Sequence, residues 1–281
     1  VKVRDLARGG AVAPRALEHE TLVELRRRFA WGTRNVSQRV LEELNRDARA
    51  GARQLGALLL RRRERDASER RRLGRLFALE TGIRETGHRV AGVDEVGMGP
   101  LAGPVVAAAV ILPDLGECEK LVGLRDSKEL SKAARERLDG EIRRVAVAVS
   151  IGVATRGEID RINIYQAGLL AMRRAIDGLE PAASYSLVDA RTLPGLRMAQ
   201  RAVIGGDGKV ASIAAASVVA KVYRDGQMLE LDARYPDYGF SRNQGYGTVE
   251  HLRALERWGP SPEHRRSTEP VRRSEARALE V

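Results

Sequence analysis

Apolar residues recur three and four positions apart from Ala16 to about Thr81, in Glu20-Thr-Leu-Val-Glu-Leu-Arg-Arg-Arg-Phe-Ala and again in Ser37-Gln-Arg-Val-Leu-Glu-Glu-Leu-Asn. That spacing predicts helix. The stripe is broken by a charged run, Arg61-Arg-Arg-Glu-Arg-Asp-Ala-Ser-Glu-Arg-Arg-Arg, and resumes at Leu73, Leu76 and Phe77. At Arg89 the texture changes. Arg89-Val-Ala-Gly-Val-Asp-Glu predicts a short strand, and Val105-Val-Ala-Ala-Ala-Val-Ile-Leu, bounded by prolines, predicts a buried one. The glycine-rich turn Gly97-Met-Gly-Pro-Leu-Ala-Gly-Pro returns the chain, so these strands are expected to pair antiparallel. Further strands are predicted over 145–153, 184–189 and 201–204. Helices are predicted from Ser131, an N-cap, to Arg144, from Arg156 to Leu179, and from Lys209 to about Ala233. A meander followed by alternating strands and helices is the pattern of an α/β layered domain with a mixed sheet. The expected organisation is a helical extension over 1–69, a connecting helix or linker over 70–88, a catalytic domain over 89–271 and a polar tail over 272–281.

Composition narrows the classes. Of 281 residues 43% are hydrophobic, enough to exclude disorder over the whole length. The single cysteine, Cys118, excludes an intrachain disulfide and a four-thiolate zinc site. No apolar run approaches the roughly 20 residues of a membrane span, and no signal-peptide core opens the chain, so the expected location is the cytoplasm. The net charge of +11 suggests a polyanionic partner, but it is uneven: residues 1–88 carry +9 and residues 89–281 only +2. The arginine run reads either as a solvated helix face or as a nucleic-acid contact.

The informative acids sit at strand ends. Asp94 and Glu95 close one apolar strand, Asp189 ends another, and Asp207 stands in Gly205-Gly-Asp-Gly between a strand and a helix. Taken alone, Asp207 reads equally as a helix cap, and Asp94-Glu95 as a strand end facing water. If the strands are neighbours, the four carboxylates converge and need counter-charge. Hard divalent cations with oxygen ligands supply it, and a pair of them about 3.5–4 Å apart is an apparatus for phosphodiester hydrolysis. His19, His88, His251 and His264 fit no zinc motif and are read as structural or incidental. Gly97-Met98-Gly99 with Gly103 misses the dinucleotide-binding spacing, and Gly206-Asp-Gly-Lys209 lacks the pattern of a P-loop.

The run Ala91-Gly-Val-Asp-Glu-Val-Gly-Met-Gly-Pro-Leu-Ala-Gly-Pro-Val-Val resembles the opening motif of the ribonuclease HII family. The resemblance continues through Arg125-Asp-Ser-Lys-Glu-Leu-Ser, Leu187-Val-Asp-Ala, Gly206-Asp-Gly-Lys-Val-Ala-Ser, Asn243-Gln-Gly-Tyr-Gly-Thr and Gly259-Pro-Ser-Pro-Glu-His-Arg-Arg-Ser, in the family's order. It implies a ribonuclease H-like fold: a mixed five-stranded sheet flanked by helices, here with an N-terminal helical extension and a helical C-terminal segment. It also implies endonucleolytic cleavage of RNA in RNA–DNA hybrids and incision 5′ of ribonucleotides embedded in duplex DNA, with parts in ribonucleotide excision repair and DNA replication. The catalytic, metal-binding acids implied are Asp94, Glu95, Asp189 and Asp207, holding Mn²⁺ or Mg²⁺ in a two-metal site. Gly97, Met98, Gly99, Ser127, Lys128 and Tyr246 are implied to bind substrate, the glycines by letting main chain approach the ribose 2′-hydroxyl. Two positions depart from the family: Met98 stands where it usually carries arginine, and Thr268 where it usually carries phenylalanine. The expected partners are RNA–DNA hybrid and ribonucleotide-containing duplex DNA, with no membrane, an unassigned protein partner for the extension, and a monomeric state. The alternative on the same fold is a non-catalytic hybrid-binding protein, favoured only by Met98.

Overall fold

Ser37 starts the second helix pattern of the N-terminal region, because its hydroxyl accepts from the Val40 amide at 3.3 Å. In this computed structural model the described residues are 17–29, 36–118 and 120–278. Ala16, where the helical pattern begins, and the last three residues of the expected tail lie outside them. The chain divides into two compact units, Val1–Arg71 and Arg72–Val281. In the first, α1 (Leu22–Phe29), α2 (Gln38–Arg46) and the first part of α3 (Ala50–Arg84) bury Leu25, Phe29, Leu41, Leu44, Leu55 and Leu59. Arg61, Arg62, Arg63, Arg65, Arg70 and Arg71 are exposed along α3.

The second unit is built on a five-stranded sheet of order β3-β2-β1-β4-β5, with β1 Val90–Val96, β2 Val105–Ile111, β3 Ala148–Ala154, β4 Tyr185–Asp189 and β5 Ala199–Val203. β1 pairs antiparallel with β2 and parallel with β4, the mixed sheet expected. Around it lie α4 (Lys132–Val145), α5 (Arg156–Ile162), α6 (Ile164–Asp177) and α7 (Ala211–Arg234). α8 (Phe240–Asn243), α9 (Val249–Trp258) and α10 (Glu269–Ala278) follow. β2 is apolar throughout because both faces are covered. Val106, Ala108 and Val110 pack with α4, α7 and the Leu73–Phe77 turn of α3, while Val105, Ala107, Ala109 and Ile111 pack with α6. A Cβ at Gly92 would collide with the α7 backbone at Ser212 and Ile213, so glycine there lets the small-residue start of α7 lie directly on β1.

Three boundaries differ from the sequence reading. The helix expected over 156–179 is two helices, broken at Asn163, whose backbone takes φ 68° and whose side chain accepts from the Gln166 amide at 3.0 Å to cap α6. β3 starts at Ala148, because α4 runs on to Val145 and is closed by the Ala146 amide bonding Ile142 O. Most of the polar tail is α10: Val271 is buried, and Ser274 Oγ donates to the Leu255 carbonyl at 2.7 Å. Thr268 Oγ1 donates to the Arg265 carbonyl at 2.7 Å, a local cap in place of an aromatic. Among the described residues, no helix is long and apolar enough to cross a membrane.

Candidate active site

Strand register brings the acids together. Val93 of β1 lies opposite Val188 of the parallel β4, so the next residues, Asp94 within β1 and Asp189 at the end of β4, lie side by side on neighbouring strands. Alternation sends their side chains to the α7 face and Glu95 to the other. Asp94 is 7% exposed and hydrogen-bonds Ser217 of α7; its Oδ1 also accepts the Glu95 amide at 2.8 Å. Asp189 Oδ1 accepts the Gly206 amide at 2.6 Å. That bond ties β4 to the 3₁₀ turn Gly206–Gly208, which carries the buried Asp207. Glu95 meets Arg191 Nη2 at 3.2 Å, while its Oε2 and Arg191 Nη1 are buried without a hydrogen-bond partner. Lys128 Nζ reaches Asp207 Oδ2 at 3.6 Å and Asp126 Oδ2 at 3.9 Å.

The cluster is short of cations. Burial, and after it Glu95 and Asp189, holds the Asp94 carboxyl well above the usual carboxylate range. Burial also raises Glu95, against the pull of Arg191. It raises Asp207 together with Asp126, which hydrogen-bonds it, and Asp189. Among the described residues, no three His, Cys, Asp or Glu side chains are gathered closely enough to cage an ion. The donors are nonetheless all oxygen, crowded, mutually repelling and in one case an orphaned buried oxygen. That set fits hard divalent cations once the carboxylates turn from Arg191 and Lys128 toward them.

Beside the acids, two buried arginines shape the turn after β1. Arg265, 1% exposed, donates to the carbonyls of Gly97 (2.6 Å), Met98 (3.3 Å), Pro100 (2.8 Å), Gly103 (2.9 Å) and Pro104 (3.2 Å). Arg224, fully buried on α7, donates to Pro104 (3.1 Å), Ala102 (3.3 Å) and Gln244 (3.1 Å). The turn's carbonyls therefore face inward, and the Leu101 amide bonds Gly245 O at 2.7 Å, joining the turn to the loop bearing Tyr246. Tyr246 is 46% exposed, with its ring edge over Gly99. Met98 is half-buried, with its sulfur against Gly168 of α6. Ser127 is turned inward, 2.9 Å from Ser217 Oγ, so it braces the residue that bonds Asp94, whereas Lys128 of the same loop is exposed.

Residues 91–273 match the family model for ribonuclease HII. The chain belongs to the ribonuclease HII family. It is 54% identical over 184 residues to "Ribonuclease HII" of Geobacillus thermodenitrificans, covering 66% of this chain and 70% of that protein. It is 54% identical over 182 residues to the protein of the same name from Albidiferax ferrireducens, covering 65% and 86%. The crystal structure of ribonuclease H2 from Pyrococcus horikoshii OT3 matches with a TM-score of 0.59 at 27% identity, covering 68% of this chain and 99% of that one. The chain is thus a ribonuclease H-type hydrolase, an endonuclease class that acts on RNA–DNA hybrids, on the fold expected from its sequence.

Within this ribonuclease HII-family chain, sequence reading singled out the acids but passed over Arg191, Ser217, Arg224 and Arg265. Ser217 is one more small residue in an alanine-rich helix, and the arginines resemble the many exposed ones. His251 and His264, read separately as structural, form a buried pair. The Ser261 amide donates to His264 Nδ1 at 3.0 Å, which assigns His264 Nε2–H as donor to His251 Nε2 at 2.9 Å. His251 Nδ1–H then donates to the Tyr246 carbonyl at 2.8 Å. Burial pushes both rings down, His264 to about 3, so this neutral relay steadies the Tyr246 loop.

Proposed function

We propose that this chain hydrolyses the RNA strand of RNA–DNA hybrids and incises duplex DNA on the 5′ side of single embedded ribonucleotides. Asp94, Glu95, Asp189 and Asp207 would hold Mg²⁺ or Mn²⁺, which when bound supply positive charge at the attacking water and at the leaving oxygen. Asp94 and Asp207 take the central positions, and Glu95 and Asp189 complete the oxygen set and orient water. Water adds to phosphorus and the bond to the 3′-oxygen breaks. That oxygen takes a proton, leaving 3′-hydroxyl and 5′-phosphate ends. The main chain of Gly97, Met98 and Gly99, with its carbonyls held inward by Arg265, offers its other face to the ribose, and Tyr246 gives a platform for the sugar at the junction. The observation that carries this reading is the under-compensated carboxylate cluster beside that clamped turn.

The test is cleavage of a duplex with one ribonucleotide, and of a long hybrid, against an all-DNA control, with Mg²⁺ and Mn²⁺ compared. Metal-dependent cutting of the first two, with 5′-phosphate ends, is expected. Equal cutting of all three would remove ribose recognition, and binding without cutting would favour the hybrid-binding alternative.

A further inference from the structure

A second cleft, of 480 Å³, opens beside the acids within the same unit. Its cations are Arg72 and Arg75 of α3, Arg125, and Lys209, two residues beyond Asp207; its acids are Asp126 and Glu129. Arg72 and Arg75, three apart, share one helix face. Asp126 is already engaged on its catalytic side, with Lys128 and with Asp207, so the cleft's balance is positive. Its walls are braced. Ser127 is pinned to Ser217, Arg135 Nη1 donates to the Ser127 and Leu130 carbonyls at 3.1 and 2.6 Å, and Lys209 Nζ donates to the Ile204 carbonyl at 2.7 Å. The volume suits a small anionic group and not a duplex. Two segments, Asp126–Lys128 and Asp207–Lys209, border both this cleft and the carboxylate cluster. A polyanionic strand seated at the acids therefore runs past these arginines.

We propose that this cleft is a phosphate site that grips one backbone phosphodiester of the duplex away from the scissile bond. The α3 arginines of the basic N-terminal region thereby enter substrate binding. Guanidinium groups suit the task because they present several donors to phosphate oxygens at once. The inference rests on the proposed function, since it takes the same duplex as ligand.

The experiment uses the full chain and an Arg75→Ala/Arg125→Ala variant, both changes being at exposed side chains. Duplex binding is followed against salt with Ca²⁺ in place of the catalytic ion, and KM is measured with Mg²⁺. The variant should bind roughly tenfold more weakly near 0.1 M salt, with a salt slope shallower by about one, the release from a single phosphate contact. Its loss should fall on KM. In the full chain one neutral methylphosphonate, walked along both strands, should weaken binding at a particular phosphate, and the variant should be insensitive there. Arg75→Lys/Arg125→Lys should recover most of the affinity, which a folding defect would not allow. Unchanged affinity and slope, or a variant that still responds at every phosphate as the full chain does, would overturn the site. A full chain that binds the duplex without cutting it would fail the proposed function alone, because the binding arm still reads the cleft.

Discussion

Two groups of buried charge lie side by side in the second unit and are treated in opposite ways. Arg265 and Arg224 are withdrawn from water, yet their donors are met by the carbonyls of Gly97, Met98, Pro100, Ala102, Gly103, Pro104 and Gln244. No carboxylate pairs with either in these contacts. Neutral dipoles satisfy them, and in return they hold a glycine-rich turn in one shape. Asp94, Glu95 and Asp207 are also withdrawn from water, but beside one another, and one Glu95 oxygen has no partner. A satisfied buried charge specifies structure; an under-satisfied group of one sign is a place prepared for something of the other sign.

The largest expected effect breaks the acidic half. Asp94→Asn should cut cleavage of a ribonucleotide-containing duplex by roughly a thousandfold or more, the scale of several kcal/mol of lost cation stabilisation. It should at the same time leave stability unchanged or raise it by about 1 kcal/mol, because a repelling, desolvated acid is neutralised. Single-turnover cleavage and urea unfolding read the two parts, and wild-type cleavage by the variant would remove Asp94 from the site.

The basic half should respond with the other sign. Arg265→Leu strands several buried carbonyls and should lower stability by about 3–5 kcal/mol, seen as a lower urea midpoint. A stability loss no larger than that of an exposed arginine would show that the turn holds itself without the buried guanidinium.

A smaller effect belongs to the histidine relay, which ties the basic half to the Tyr246 loop. His264 has its folded pKa depressed to about 3, below the unfolded value of about 6.5. The stability it preserves is therefore fully present above pH 6.5 and is lost progressively as pH falls toward 3. Between pH 7 and pH 5 the loss is about 2 kcal/mol. His264→Gln should be less stable at pH 7 and should lack this part of the slope. Parallel pH profiles of unfolding for the two proteins would contradict the neutral relay.

Asp94, Glu95 and Asp189 were legible because they stand where an apolar run stops, where a carboxylate is costly without a purpose, and Asp207 because it stands in a glycine-rich turn between a strand and a helix. Both faces of β2 were legible for a related reason, since an unbroken apolar strand must be covered on both sides. The break at Asn163 was not, because a helical apolar period runs across it and only the positive φ and the cap reveal it. α10 was hidden by its charge: among its described side chains, Val271 and Ser274 are the buried ones. Arg224 and Arg265 could not be told from the solvated arginines of α3 by composition or spacing.

The amino-acid sequence by itself determined the order of elements, the acids near the C-terminal ends of β1 and β4 and in the Gly206–Gly208 turn, and the family to which the chain belongs. These are properties of local period and of residue type at a marked position. Only the tertiary structure decided which acids are neighbours, because that depends on β1 and β4 pairing in parallel with Val93 opposite Val188. It also decided which arginines are buried. A guanidinium's role follows from what surrounds it, and Gly97 and Arg265 come to lie 2.6 Å apart, donor to acceptor, only once the chain between them has folded.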